Sequence, residues 1–336
     1  MIRSDTLLKQ LPYFFDSINK SQKITLDNIS QNDIKLLIPY LLEHKLEYLS
    51  FLSINETKSL EHFYEFTLKK QIECLTTLIN NELIDCQAIF LQGFPRCLGL
   101  SNIAPFGMRT DIDIHIPPEN IVRFKRDIKK KGFDEFGFSD TEIFLVDDEI
   151  KKNFTVQSWA QKDFTLTLPL QTDLPKDLPI DFGDCYLPWL YRGEKWFLMV
   201  SLEIHHSYID ESDYETIFNN TERWPETGFS RSNLPSLIYF NLVRLYQGVF
   251  SGEKRLRLLL DTACLFKQSE ITSCITDVDN LIKKSPLAFE LRSLCLCLSN
   301  MHMVFSPLRE ISYLNNSFND WLNTFHKSLY LNIAGL

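Results

Sequence analysis

The segment Asp111-Ile112-Asp113-Ile114-His115-Ile116 alternates strictly between polar and apolar side chains. As a β-strand it turns both aspartates and His115 to one face and the three isoleucines to the other. Aspartate is disfavoured in strands, and two carboxylates on one face repel each other, so the pattern calls for a compensating cation. Magnesium takes hard oxygen ligands, usually a few carboxylates together with substrate phosphates. In a two-ion site about 4 Å across, one ion activates the attacking oxygen and the other steadies the leaving group. That chemistry needs a third carboxylate, and Glu203 is the candidate. In the run Trp196 to His205, Phe197, Met199, Ser201, Glu203 and His205 share one strand face, while Leu198, Val200, Leu202 and Ile204 share the other. The alternative for Asp111 to Ile116 is an amphipathic edge strand whose charges guard against sheet-to-sheet association.

The elements that must position these residues follow from the surrounding pattern. Residues 1–85 carry helical spacing, with apolar positions at Leu36, Leu37, Tyr40 and Leu41 and again at Phe63, Phe66 and Leu68. From residue 86 the texture changes to short strands: Ala88 to Leu91 ending at Gly93, the Asp111 strand, Glu142 to Val146, and, after a proline-bearing connection from Gln171 to Pro188, the Glu203 strand. Residues 211–336 are helical again, through Leu237 to Val243, Leu256 to Phe266 and Phe318 to Tyr330. The expected fold is α+β: an N-terminal helical segment, a core at 86–210 with a small mixed sheet flanked by helices, and a C-terminal helical domain.

Composition is that of a globular protein. The 336 residues are 44% hydrophobic and 24% charged, with 26 Phe and 12 Tyr for an aromatic-rich interior. A formal charge of -9 argues against a dedicated nucleic-acid binder. The basic run Lys125 to Lys131 follows Ile121, Phe124 and Ile128, the spacing of an amphipathic helix with a wet cationic side. The eight cysteines are scattered, and Cys295 and Cys297 lack the spacing of a zinc site. No apolar run approaches the roughly 20 residues of a membrane span, and the N-terminus does not read as a signal peptide, so the expected location is the cytoplasm, or delivery from it by a route without a cleaved signal.

Three segments in order, Ile89-Phe90-Leu91-Gln92-Gly93, Met108-Arg109-Thr110-Asp111-Ile112-Asp113 and the basic helix ending Lys131-Gly132-Phe133, resemble the uncharacterised nucleotidyltransferase family of the polymerase-beta-like superfamily. Ser201 to His205 looks like its acidic-x-His strand, and Arg255 to Asp261 like its helical Leu-Arg-x-x-x-Asp segment. The resemblance implies a nucleotidyltransferase-type sheet in which Asp111, Asp113 and Glu203 hold magnesium or manganese ions. It also implies that Gly93 lets the backbone approach a nucleotide and that Arg109 contacts phosphate or braces the aspartates. Gln92 stands where the family has lysine; its amide can donate to phosphate but carries no charge, and Arg96 is a candidate substitute for that charge.

The reaction so implied is transfer of a nucleoside monophosphate from a nucleoside triphosphate to a small-molecule or protein acceptor, with release of pyrophosphate. The alternative is a catalytically silent module of the same type that binds a nucleotide or a partner protein. His205 joins the candidate nucleotide-binding residues, and His115 and His206 are weaker ones. Asp261 either pairs within its helix or lines the substrate cleft. Ser201 has no histidine-acid pair to activate it as a nucleophile.

Overall fold

The structure, a computed structural model, describes residues 13–17, 58–91, 111–138, 143–145, 162–173, 188–205, 218–224, 227–251, 256–266 and 271–311. In chain order its elements begin with α1 (Lys58–Leu78), α2 (Asn80–Asp85), β1 (Ile89–Phe90), β2 (Asp111–His115) and α3 (Pro118–Lys129). The strands β3 (Phe136–Phe138), β4 (Ile143–Leu145), β5 (Lys162–Gln171), β6 (Trp189–Arg192), β7 (Lys195–His205), β8 (Thr221–Arg223) and β9 (Ser230–Ser232) follow. Helices α4 (Leu234–Ser251), α5 (Leu256–Phe266), α6 (Ile271–Lys284) and α7 (Ala288–Met301) come next, then a 3-10 helix at Met303–Glu310. The strands and α1 to α3 belong to one compact unit; α4 to α7, the 3-10 helix and residues 13–17 belong to a second. Among the described residues no helix is long and apolar enough to cross a membrane.

The main sheet is mixed and open, in the order β5-β7-β2-β1-β9-β8, with β6 pairing the start of β7. β2 runs parallel to β7, and β1 parallel to β9; the other pairings are antiparallel. The expected core at 86–210 holds β1 to β7, and β8 and β9, beyond it, are strands of the same sheet. β3 and β4 pair separately.

One side of the sheet is its apolar core. Ile112, Ile114 and Ile116 of the β2 segment and Leu198, Val200, Leu202 and Ile204 of β7 are fully buried, in one cluster with Leu75 of α1 and Phe124 and Ile128 of α3. The period-2 alternation puts every isoleucine of β2 on this side, and each is worth about 1.5–3 kcal/mol relative to an exposed position. The hairpin that joins β6 to β7 turns through Gly193 and Glu194, both at positive φ (56° and 63°), the backbone of a type I′ turn that suits the right-handed strand twist.

α3 begins with Pro118 in its first turn beside Glu119 and ends with Arg126 and Lys129 in its last, an order that matches the helix dipole. Every cation of the run Lys125 to Lys131 has a carboxylate partner: Lys125 with Glu135, Arg126 and Lys130 with Asp127, Lys129 with Asp134, and Lys131 with Glu82. Apart from Lys125 with the buried Glu135, the cations of these pairs are exposed and stabilise little individually, but the pairs balance the charge of this face with local acids. The helix stops at Gly132, which sits at φ +95° while Phe133 N–H donates to Ile128 C=O at 3.3 Å. A Cβ there would lie 3.2 Å from Leu168 Cδ1 and force an L side chain into a disfavoured backbone region. Gly132→Ala is therefore expected to lower stability by about 1–2 kcal/mol, read as a drop in the denaturation midpoint. An unchanged midpoint would show that the turn relaxes freely.

In the second unit, Arg292 is buried, donating to Ile311 C=O at 2.7 Å and to Asp279 Oδ1 at 2.6 Å. These bonds tie α7 to α6 and to the end of the 3-10 helix. Residues 13–17 belong here too: Phe15 packs edge-on against Phe305, and Asp16 meets His302 Nε2 at 3.3 Å. Cys295 and Cys297 are buried free thiols, both pushed up by desolvation.

Candidate metal centre

The face of the sheet opposite the core carries the polar residues of three adjacent strands. β2 lies between β7 and β1, so it is an interior strand and its carboxylates do not guard a sheet edge. The parallel register sets Asp111 beside Ser201, Asp113 beside Glu203 and His115 beside His205. On the far side of β7, β5 contributes Thr165 opposite Glu203 and Thr167 opposite Ser201. Two carboxylates are thus direct neighbours in the middle of a sheet, where two full charges about 5 Å apart repel by about 3 kcal/mol at an effective dielectric of about 20.

His205 completes the group. Its Nε2 lies 3.1 Å from Asp113 Oδ1 and 3.9 Å from Glu203 Oε2. One ligand atom from each of Asp113, Glu203 and His205 falls within 4.8 Å of the others. The imidazole is buried, with a side-chain exposure of 3%, whereas Asp113 and Glu203 keep 16% and 21% and face accessible space. Its neighbour ring, His115, is fully buried with its centroid 6.0 Å away. The donors converge from strands locked by the β2–β7 ladder, and Ile116 N–H extends that pairing to His205 C=O at 3.3 Å. Two carboxylate oxygens and one imidazole nitrogen are a set that a divalent cation accepts, and binding one offsets the repulsion between the carboxylates.

Ser201 is buried beside the group, but its Oγ lies 2.9 Å from Thr167 Oγ1, and a hydroxyl partner is no base. Thr167 is held in turn by a backbone exchange with Asp134, at 2.8 and 3.1 Å. Ser201→Ala is expected to cost about 1–3 kcal/mol of stability, because it strands the buried Thr167 hydroxyl. An unchanged denaturation midpoint would show that Thr167 finds another partner.

The remaining sequence candidates fall in different places. Asp111 shares the strand and face of Asp113 but stands one pleat away, opposite Ser201, so the close group is two carboxylates and an imidazole rather than three carboxylates. Gln92, Gly93, Arg96, Arg109 and His206 lie outside the described residues, although Leu91 N–H donates to Asp113 C=O at 3.0 Å and so delivers the chain just before Gln92 to the site strand. Asp261 belongs to α5 in the second unit, buried, with Arg257 Nε 3.6 Å from its Oδ2 one helical turn away. It pairs within its helix, and the pair is buried rather than at the surface. Thr165 and Thr167 had no place among the sequence candidates, though the alternation Phe164-Thr165-Leu166-Thr167-Leu168 marks their strand.

Comparison with protein-family models, with curated proteins and with solved structures returned no match to this chain.

Proposed function

We propose that the chain is a metal-dependent nucleotidyltransferase, a divergent member of the polymerase-beta-like superfamily, that moves a nucleoside monophosphate from a nucleoside triphosphate to a hydroxyl of a small molecule or protein and releases pyrophosphate. The observation that carries this reading is the side-by-side placement of Asp113 and Glu203 on two interior parallel strands, with His205 Nε2 within 4.8 Å of a carboxylate oxygen of each. Neighbouring carboxylates on interior strands serve no edge-protecting purpose, and a cation bound by phosphates is the ligand that would use them. Asp113, Glu203 and His205 would hold the ion, with Asp111 further along the same face. An ion held there would supply charge neutralisation at the phosphoryl oxygens and would lower the pKa of an acceptor hydroxyl. The residues themselves orient: the paired strands β2 and β7 hold the donors on one face, and the imidazole nitrogen lies 3.1 Å from the Asp113 carboxylate, beside it as a second donor.

The silent module remains the second reading, favoured by Gln92 at the position where the family resemblance calls for lysine. Incubation with each labelled nucleoside triphosphate and magnesium or manganese separates the two. Turnover that disappears in Asp111→Ala plus Asp113→Ala supports transfer. Nucleotide binding without pyrophosphate release or label transfer supports the silent module, and turnover that survives the double substitution overturns the carboxylate mechanism.

A further inference from the structure

We propose that the ion this centre selects is a first-row transition-metal ion, coordinated by Asp113, Glu203 and His205 Nε2, in preference to Mg2+. The inference rests on the metal-binding half of the reading above and is independent of nucleotidyl transfer. Mg2+ demands oxygen donors in near-octahedral geometry and sheds water reluctantly, whereas an imidazole nitrogen suits the ions from Mn2+ to Zn2+. Here the nitrogen is no bystander: the His205 side chain is 3% exposed, lies on the interior strand β7, and brings Nε2 to 3.1 Å from Asp113 and 3.9 Å from Glu203.

The spacing fits a shared ion. With metal–donor bonds of about 2.1 Å, donors at right angles lie about 3.0 Å apart and tetrahedral donors about 3.4 Å apart. The observed 3.1 Å from Nε2 to Asp113 already lies in that range, and the 3.9 Å to Glu203 needs only a side-chain adjustment. Glu203 has room to make it, since its side chain is the most exposed of the three donors. The same short contact would equally serve an imidazolium–carboxylate ion pair without a metal, and the experiment has to tell these apart.

The test uses the full chain, stripped of metal, titrated with Mn2+ and followed by electron paramagnetic resonance with Mg2+ as competitor. Mn2+ stands at the weak end of the transition series, so a preference for it over Mg2+ is the most demanding form of the claim. The expected result is Mn2+ binding at least about tenfold tighter than Mg2+, with imidazole nitrogen hyperfine coupling on the bound ion. His205→Gln is expected to abolish that coupling and to weaken Mn2+ at least about tenfold with little change for Mg2+, its fold checked by circular dichroism. Equal affinity for the two ions, or bound Mn2+ without nitrogen coupling in the unsubstituted chain, overturns the proposal without need of any variant. Failure to bind either ion overturns it as well and leaves the ion pair. Selective Mn2+ binding without pyrophosphate release from any nucleoside triphosphate upholds it while sinking the transfer reaction alone.

Discussion

Replacing Glu203 by Gln is expected to lower metal-dependent turnover at least about a hundredfold while leaving the metal-free chain as stable as before, or slightly more so. The two halves of this expectation come from the same geometry. Glu203 and Asp113 are register neighbours on parallel interior strands, and their ligand atoms share a group within 4.8 Å. In the absence of metal that proximity is repulsive, as for any two like charges set side by side on a sheet. The Gln amide has nearly the same shape, removes the repulsion and keeps a hydrogen-bonding group on the face. For the bound ion the change is the reverse, since a neutral amide replaces an anionic ligand. A loss of about 3 kcal/mol of transition-state stabilisation corresponds to about a hundredfold in rate. Melting temperature and pyrophosphate release measured on one preparation check both halves. A residue retained for structure would show the opposite pattern, a lower melting temperature with turnover unchanged.

Phe124→Ala is expected to give the largest loss of stability among single substitutions in the sheet-bearing unit. Phe124 is fully buried on the inner side of α3, in the cluster that joins the helix to Ile112, Ile114 and the β7 aliphatics. Truncating a buried Phe removes its transfer free energy and leaves a cavity, together costing about 3–5 kcal/mol. For a unit of this size that lowers the melting temperature by roughly 6–20 °C. Because Phe124 packs with the apolar side of β2 and the donors face the other way, the fraction that stays folded should bind Mn2+ as the parent does. A loss below about 1 kcal/mol would mean that α3 settles onto the sheet and fills the gap.

Much of the site was legible in the chain because its signals are local. Strict alternation in Asp111 to Ile116 and in Phe197 to His205 assigns each side chain to a face from backbone geometry alone: Ile112, Ile114, Leu202 and Ile204 are fully buried on one, while on the other Asp111, Asp113 and Glu203 are partly open and His115, Ser201 and His205 are buried. The amphipathic spacing of Ile121, Phe124 and Ile128 likewise places α3 with its cations outward. Less visible were the short strands. Ser230-Arg231-Ser232 has neither β-branched residues nor apolar alternation, and it is a strand because β1 and β8 flank it. β5 does alternate, and Pro169 hints at its edge position, but no local feature names β7 as its partner.

The sequence by itself determined which side chains lie together on each strand and which side of each strand is greasy, since these depend on a repeat of two residues. Strand order and register depend on contacts between segments far apart in the chain, and only the tertiary structure decided them. β2 could have been an edge strand by its own pattern; pairing with β7 on one side and β1 on the other makes it interior. A slip of one residue in the β2–β7 pairing would set Asp113 beside Leu202 or Ile204 and put the carboxylates on opposite sides of the ladder. The observed register instead brings Glu203 beside Asp113 and His205 Nε2 to 3.1 Å from it. The third donor near Asp113 is therefore an imidazole, a substitution that alternation alone leaves open because Asp111 and His205 both satisfy it.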